Sequence, residues 1–346
     1  MASFDTTNTV SSEFGIFGIP LSADESQLIL IPVPWEVTTS YGAGASLGPK
    51  IIREASEQLD LFDLETGKAY ENGYHMTEFP EDLYLKNIQM KKKAQEVIRM
   101  KTHLEDNLDL QNKLTSEINQ ACAEMVDYVY NTTKAWLNKG KLVGLVGGDH
   151  STPMGFVKAI HEKYKGQFGI LHIDAHADLR VQYQGFTHSH ASIMHNIMTS
   201  NFRPEKLVQV GIRDFCEAEY DFIQSHPNDI QTFFDIHNKQ RLLKGECWDQ
   251  VCEDIIKNLP QNVYVSFDID GLDPALCPNT GTPVAGGLSL DQAFFLFNKI
   301  HQSGRKIIAF DVNEVSPGKN KNSDWDGNVG ARVLYKLCGW TIMSNS

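Results

Sequence analysis

The chain has 346 residues, 41% of them hydrophobic and 22% charged, a composition that builds a soluble globular protein with a sizeable core. Asp and Glu outnumber Lys and Arg by 44 to 31, a formal net charge of -13, which argues against nucleic acid as a partner and suits a cationic one. No apolar run approaches the roughly 20 residues that span a bilayer, and the polar start Met1–Val10 does not resemble a signal peptide, so the cytoplasm is the expected compartment.

In chain order, residues 1–26 read as a Ser/Thr-rich N-terminal arm. Leu28–Val33 reads as a short buried strand, and the Gly-rich stretch Pro34–Gly48 as a loop. Pro49 is suited to open a helix that ends near Ser56. Residues 85–138 alternate charged and apolar positions at helical spacing and predict two helices, with Lys91–Lys93 on a solvated face. From residue 141, β-branched apolar runs predict strands at Leu142–Val146, Phe168–Ile173, Leu207–Ile212, Ile230–Phe234, Val263–Phe267 and Ile307–Val312. Helices are predicted between them, among them Pro153–Lys163 and Asp291–His301, the latter opened by a Ser289-x-x-Gln292 capping box. An apolar helix over Val333–Ile342 suits either the core or an interface. The whole chain, 1–346, reads as one α/β domain, a parallel sheet covered by helices on both faces. The six cysteines include no Cys-x-x-Cys pair and read as reduced.

Three segments at the C-terminal ends of predicted strands carry chemistry, where open α/β sheets place their ligands. Gly147-Gly148-Asp149-His150-Ser151 follows the strand at 142–146. Asp174-Ala175-His176-Ala177-Asp178-Leu179-Arg180 follows the strand at 168–173, and alternate residues of an extended chain point one way. Asp268-Ile269-Asp270-Gly271-Leu272-Asp273-Pro274 follows the strand at 263–267, with Asp273 read as a turn residue. Buried carboxylates need partners. Together His150, Asp174, His176, Asp178, Asp268 and Asp270 are too many ligands for one tetrahedral zinc. Such an oxygen-rich set suits harder ions such as manganese, often in pairs roughly 3.5–4 Å apart.

GGDH, DAHxD and DxDxxDP in this order resemble the ureohydrolase superfamily of arginases, agmatinases, formimidoylglutamases and guanidino-acid hydrolases. The resemblance runs from about Leu28 to Leu337 and includes Gly48-Pro49 and Asp311-Val312-Asn313-Glu314-Val315-Ser316-Pro317. It implies a three-layer α/β/α sandwich on a mostly parallel sheet, arginase-like. It also implies that His150, Asp174, Asp178 and Asp268 surround one manganese and Asp174, His176, Asp268 and Asp270 a second. A hydroxide between the two would attack the amidino carbon and release urea and an amine, with Asp178 holding that hydroxide. Glu314 matches the acidic residue that grips the guanidinium, and His190 matches a proton-shuttle histidine, with His188 as the alternative. His172 is expected to point to the opposite face of its strand from Asp174 and, like His195, to be structural. A trimer or hexamer is the expected assembly.

Arg180 stands where arginases carry an Asn that helps hold the amino-acid carboxylate, which disfavours L-arginine and makes Arg180 a candidate substrate contact. Agmatine is slightly favoured. Formiminoglutamate, L-arginine, a guanidino acid and free guanidine remain alternatives, the last two with nickel possible in place of manganese. The full ligand set argues against a one-zinc deacetylase on the same fold. It also argues against a non-catalytic metal-binding or regulatory protein.

Overall fold

The structure, a computed structural model, describes residues 15–39, 42–104, 107–318 and 323–346. Its centre is an eight-stranded sheet made of β1 (Leu28–Val33), β2 (Tyr74–Met76), β3 (Leu142–Gly147), β4 (Gly169–Ile173), β5 (Lys206–Val210), β6 (Ile230–Phe233), β7 (Asn262–Asp268) and β8 (Lys306–Asn313). The strands lie in the order β2-β1-β3-β8-β7-β4-β5-β6, and every pairing is parallel. The predicted strands all form, within a few residues of their expected ends. The unforeseen strand is β2, whose three residues Tyr74-His75-Met76 are too few to show a period.

Ten α-helices lie among the described residues: α1 (Gly48–Ser56), α2 (Glu81–Thr102), α3 (Leu108–Asn138), α4 (Met154–Tyr164), α5 (Ile193–Met198), α6 (Glu217–Ser225), α7 (Asp235–Leu243), α8 (Trp248–Lys257), α9 (Leu290–Gln302) and α10 (Trp325–Asn345). Strand alternation divides the core in two. Leu28 and Leu30 of β1 face a layer built with α1, α8, α9 and α10, while Ile29, Ile31 and Val33 face one built with α2, α3, α4 and α5. This is the expected α/β/α sandwich, with the sheet wholly rather than mostly parallel.

Ser289 and Gln292 make the reciprocal bonds of the capping box at the start of α9, at 3.1 and 3.0 Å. The apolar C-terminal helix is core: Val333, Leu334, Leu337 and Cys338 of α10 are fully buried against the sheet. Within the N-terminal arm, Ile16, Phe17 and Ile19 are buried, and the Phe17 ring packs edge-on against Tyr74 and Tyr335. Residues 1–14 of the arm lie outside the described residues. No helix among the described residues is long and apolar enough to cross a membrane.

One expectation about α2 is wrong. Lys92 is exposed and Lys93 pairs with Glu117 of α3 at 2.6 Å, but Lys91 is buried. Lys91 falls in register with the inward face of α2, which also carries Leu83, Asn87, Ala94 and Val97.

Candidate metal centre

The central strands β3, β8, β7 and β4 are neighbours in the sheet although their order in the chain is different. Their C-terminal ends therefore bring His150, Glu314, Asp268 with Asp270, and Asp174 with His176 and Asp178 to one edge. Three of the turns that deliver these side chains are sterically exacting. A Cβ on Gly148 would sit 2.0 Å from the carbonyl oxygen of Trp35, so the turn before His150 needs glycine. Asp178 and Glu314 hold φ of 55° and 64°, a region that non-glycine residues occupy at a cost and that clusters at functional sites. The chain from Asp174 to Asp178 is accordingly bent rather than extended, and the bend rather than strand alternation brings Asp178 back beside Asp174.

His150 is the hub. Its Nδ1 lies 3.0 Å from Asp174 Oδ2, 3.2 Å from Asp268 Oδ2 and 3.3 Å from Asp178 Oδ2. Its Nε2 bonds Ser266 Oγ at 2.9 Å, and Ser266 in turn donates to Asp311 at 3.1 Å. Asp311 is fully buried and also bonds the Tyr264 hydroxyl and the Asn313 amide. That chain orients the imidazole so that Nδ1 faces the carboxylates. A second group shares Asp174: His176 Nδ1 is 3.4 Å from Asp174 Oδ1 and 3.1 Å from Asp270 Oδ2. Asp174 thus offers one oxygen to each group.

His172 does not turn away. Residues 172 and 174 are two apart on the strand and share a face, and His172 Nε2 lies 2.8 Å from Asp174 Oδ2. Its other nitrogen faces Gln209 Nε2 at 3.0 Å, and Gln209 is itself fixed by the Ala177 carbonyl and the Thr232 hydroxyl. Since the Gln209 amide donates to Nδ1, the His172 proton sits on Nε2 and points at Asp174. His195 packs its ring on Phe222 of α6, away from the cluster. Asp273 is a turn residue, accepting a bond from the Ala275 amide.

The electrostatics suit a bound cation. Asp174, Asp178, Asp268 and Asp270 are each at most 4% exposed, and their ion pairs are with His150, His172 and His176. Burial and the Asp174 charge raise Asp178 to about 7, and burial with Asp270 and Asp174 pushes Asp268 well above the carboxylate range. Burial works against charge on His150, yet the carboxylates of Asp174, Asp178 and Asp268 hold it well above the usual imidazole value. Four crowded carboxylates and three imidazoles fit divalent cations bound through oxygen and nitrogen. The donor atoms of His150, His172, Asp174 and Asp178 lie within 4.8 Å of one another, as do those of Asp174, His176 and Asp270.

The cluster opens on a pocket of about 610 Å³ lined by His176, Asp178, Arg180, Tyr183, His190 and Asp214, among others. Burial, then the neighbouring His176 and Lys91, lower His190 to about 3 and hold it neutral. His188 is absent from this lining; burial lowers it too. Arg180 extends over the Tyr183 ring, and its Nε lies 3.5 Å from Glu219 of α6. Glu219 is buried and accepts bonds from the amides of Leu179 and Cys216. Asp214, 69% exposed, stands beside His176 because an isolated parallel bridge joins these two residues beyond the ends of β4 and β5. Glu314 is buried, and its Oε1 accepts the His150 amide at 3.0 Å. Sequence reasoning gave no role to Ser266, Asp311, Gln209, Asp214 and Glu219; Asp311 lies in the motif that carries Glu314, but the roles of all five come from tertiary contacts.

The arginase family model matches residues 26–339 of the chain. The chain belongs to the arginase family. Among curated arginase-family relatives, the N(1)-aminopropylagmatine ureohydrolase of Thermus thermophilus is 31% identical over 91% of this chain and 90% of its own length. The guanidinobutyrase of Pseudomonas aeruginosa is 26% identical over 92% of this chain and 87% of its own. The fold is shared with the agmatine ureohydrolase of Thermoplasma volcanium, at a TM-score of 0.68 and 21% identity over 93% of this chain and 92% of that one.

Proposed function

We propose that this arginase-family hydrolase releases urea from a cationic guanidino amine, agmatine or an N-substituted agmatine, at a pair of divalent cations. The observation that carries this reading is four buried carboxylates, countered by imidazoles, at the floor of a pocket with acidic walls. His150, Asp174, Asp178 and Asp268 would hold one cation and Asp174, His176, Asp268 and Asp270 the other, manganese being favoured over nickel by the oxygen-rich set. Such a pair supplies Lewis acidity and water that is nucleophilic near neutral pH.

The chain's own residues bind, orient and move protons. His172 donates to Asp174 and fixes its carboxylate plane. Asp178 lies in both the cluster and the pocket lining, so its carboxylate can accept a hydrogen bond from the attacking water. Glu314 offers a buried carboxylate for the planar guanidinium, a pairing that is strong because it is bidentate and charged. His190, in the pocket wall, is placed to relay a proton from solvent to the leaving amine. Arg180 is engaged by Glu219, so Asp214 is the carboxylate on the wall outside the cluster, and its charge favours an amine over a carboxylate at the substrate's far end.

The half-exposed Arg180 supports a second reading, a guanidino acid whose carboxylate displaces Glu219, and a guanidinobutyrase is among the relatives. The homo-oligomer (trimer or hexamer) and the cytoplasm complete the proposal. The test is urea release from agmatine, N(1)-aminopropylagmatine, guanidinobutyrate, L-arginine and free guanidine, with formiminoglutamate followed by formamide, after loading with manganese or with nickel. Turnover confined to the amines supports the first reading. Turnover confined to guanidinobutyrate supports the second, and none with any compound overturns both.

A further inference from the structure

We propose that Asn87 and Lys91 of α2 form a clamp that positions residues 35–39 and 42–44 and, through them, the substrate wall of the pocket. The inference rests on the reading of that pocket as a guanidino site. Asn87 and Lys91 are 2% and 9% exposed and lie one helical turn apart on the inward face of α2. Asn87 Oδ1 accepts the Glu36 amide at 2.7 Å. The Lys91 ammonium donates to the carbonyls of Glu36 at 2.8 Å and Thr39 at 3.2 Å, and to the Thr39 hydroxyl. All its donors are thereby used on one segment of chain.

That segment touches the turns that carry His150, Glu314 and Thr282. The Trp35 carbonyl accepts the Asp149 amide at 2.8 Å, next to His150. Glu36 Oε2 accepts the Gly44 amide at 2.8 Å, and a Cβ on Gly44 would meet the Ser316 hydroxyl, two residues past Glu314. Gly42 packs on Gly281, where a Cβ would lie 2.7 Å from the Gly281 Cα. Gly281 adjoins Glu314, and the next residue, Thr282, bonds Asp270 at 3.3 Å and lines the pocket.

A charged residue in this stripe is the expensive choice, because a buried ammonium must be compensated whereas a methionine would only need to pack. Burial lowers the Lys91 pKa, and the charges of Glu36, Asp149 and Glu314 oppose that. The ammonium is therefore explained by what it holds rather than by packing. Lys91 and Asn87 act through the segment they anchor and are positioning residues.

The test is hydrogen exchange and steady-state kinetics on full-length, metal-loaded Lys91→Met. The expected result is wild-type metal content and faster exchange at residues 35–39, 42–44, 149–150 and 281–282. A KM about tenfold higher with kcat within about threefold should accompany it, the pattern of lost substrate positioning. Exchange and KM like wild type, with only a lower melting temperature, would overturn the clamp. If Lys91→Met does not fold, Thr39→Val decides: it leaves the ammonium in place and removes one acceptor, and an unchanged exchange pattern there overturns the proposal. The exchange measurement needs no substrate, so failure to find a guanidino substrate would sink the proposed function and leave the clamp to be judged by exchange alone.

Discussion

At the scale of single residues, the site is a set of carboxylates whose mutual repulsion is offset by imidazoles. Asp178→Asn or Asp268→Asn removes one negative charge from a crowded cluster and should leave the protein folded, as circular dichroism would show, while abolishing urea release; unchanged turnover in either variant sinks the two-cation reading. Ser266→Ala is a subtler probe. Ser266 links His150 Nε2 to Asp311, and without it the ring loses the bond that aims Nδ1 at the carboxylates. Metal affinity should fall by about 10–100-fold, the usual effect of losing a group that orients a ligand, as titration with manganese would measure. An affinity equal to wild type would mean that packing alone holds the imidazole.

At the scale of elements, the turn after β3 and the helix α2 set the site's tolerances. The Gly148 turn brings the backbone within bonding distance of residue 35, and any side chain there collides with main chain. Gly148→Ala should destabilise the protein by about 3 kcal/mol, at the upper end for overpacking, and lower metal content together with the melting temperature. A folded, fully loaded Gly148→Ala would show that the Trp35 segment can move aside. The apolar runs and capping residues that make these elements are local features, and they are readable from the chain. Lys91 shows where local reading stops. Its charge suggests a solvated face, whereas its register with Leu83, Asn87, Ala94 and Val97 places it inward.

At the scale of the molecule, burying so many carboxylates ties stability to pH and to metal. Asp149 is raised to about 6 by burial and Asp178 to about 7 by burial and Asp174, both above the ordinary value of an unfolded carboxylate. A raised carboxylate pKa means that the folded chain binds more protons than the unfolded chain between the two values. The contribution from these groups is thus fully present below about pH 4 and is lost as pH rises through 6 and 7. Cations bound to the ionised cluster reverse that loss. The rise in melting temperature between chelated and manganese-loaded protein should therefore grow from pH 5 to pH 8. A gain that is flat or shrinks over that range would show that the cluster is not where metal binds.

The sequence by itself determined the strands, the acidic surplus and the ligand-bearing turns at the strand ends, because apolar runs, glycine turns and i, i+2 spacing are encoded locally. His150, Asp174, His176, Asp178, Asp268 and Asp270 all lie in such turns. Only the tertiary structure decided that β3, β8, β7 and β4 are neighbours, since parallel pairing joins segments that are far apart in the chain, Asn262 with Lys306, Gly169 with Val263 and Val143 with Ala309, and leaves no local trace. It likewise decided that His172 supports Asp174, that Glu219 engages Arg180, and that His190 lines the pocket. Each of these depends on which side chain a folded neighbour presents, and that is set by packing across the sheet rather than by spacing along the chain.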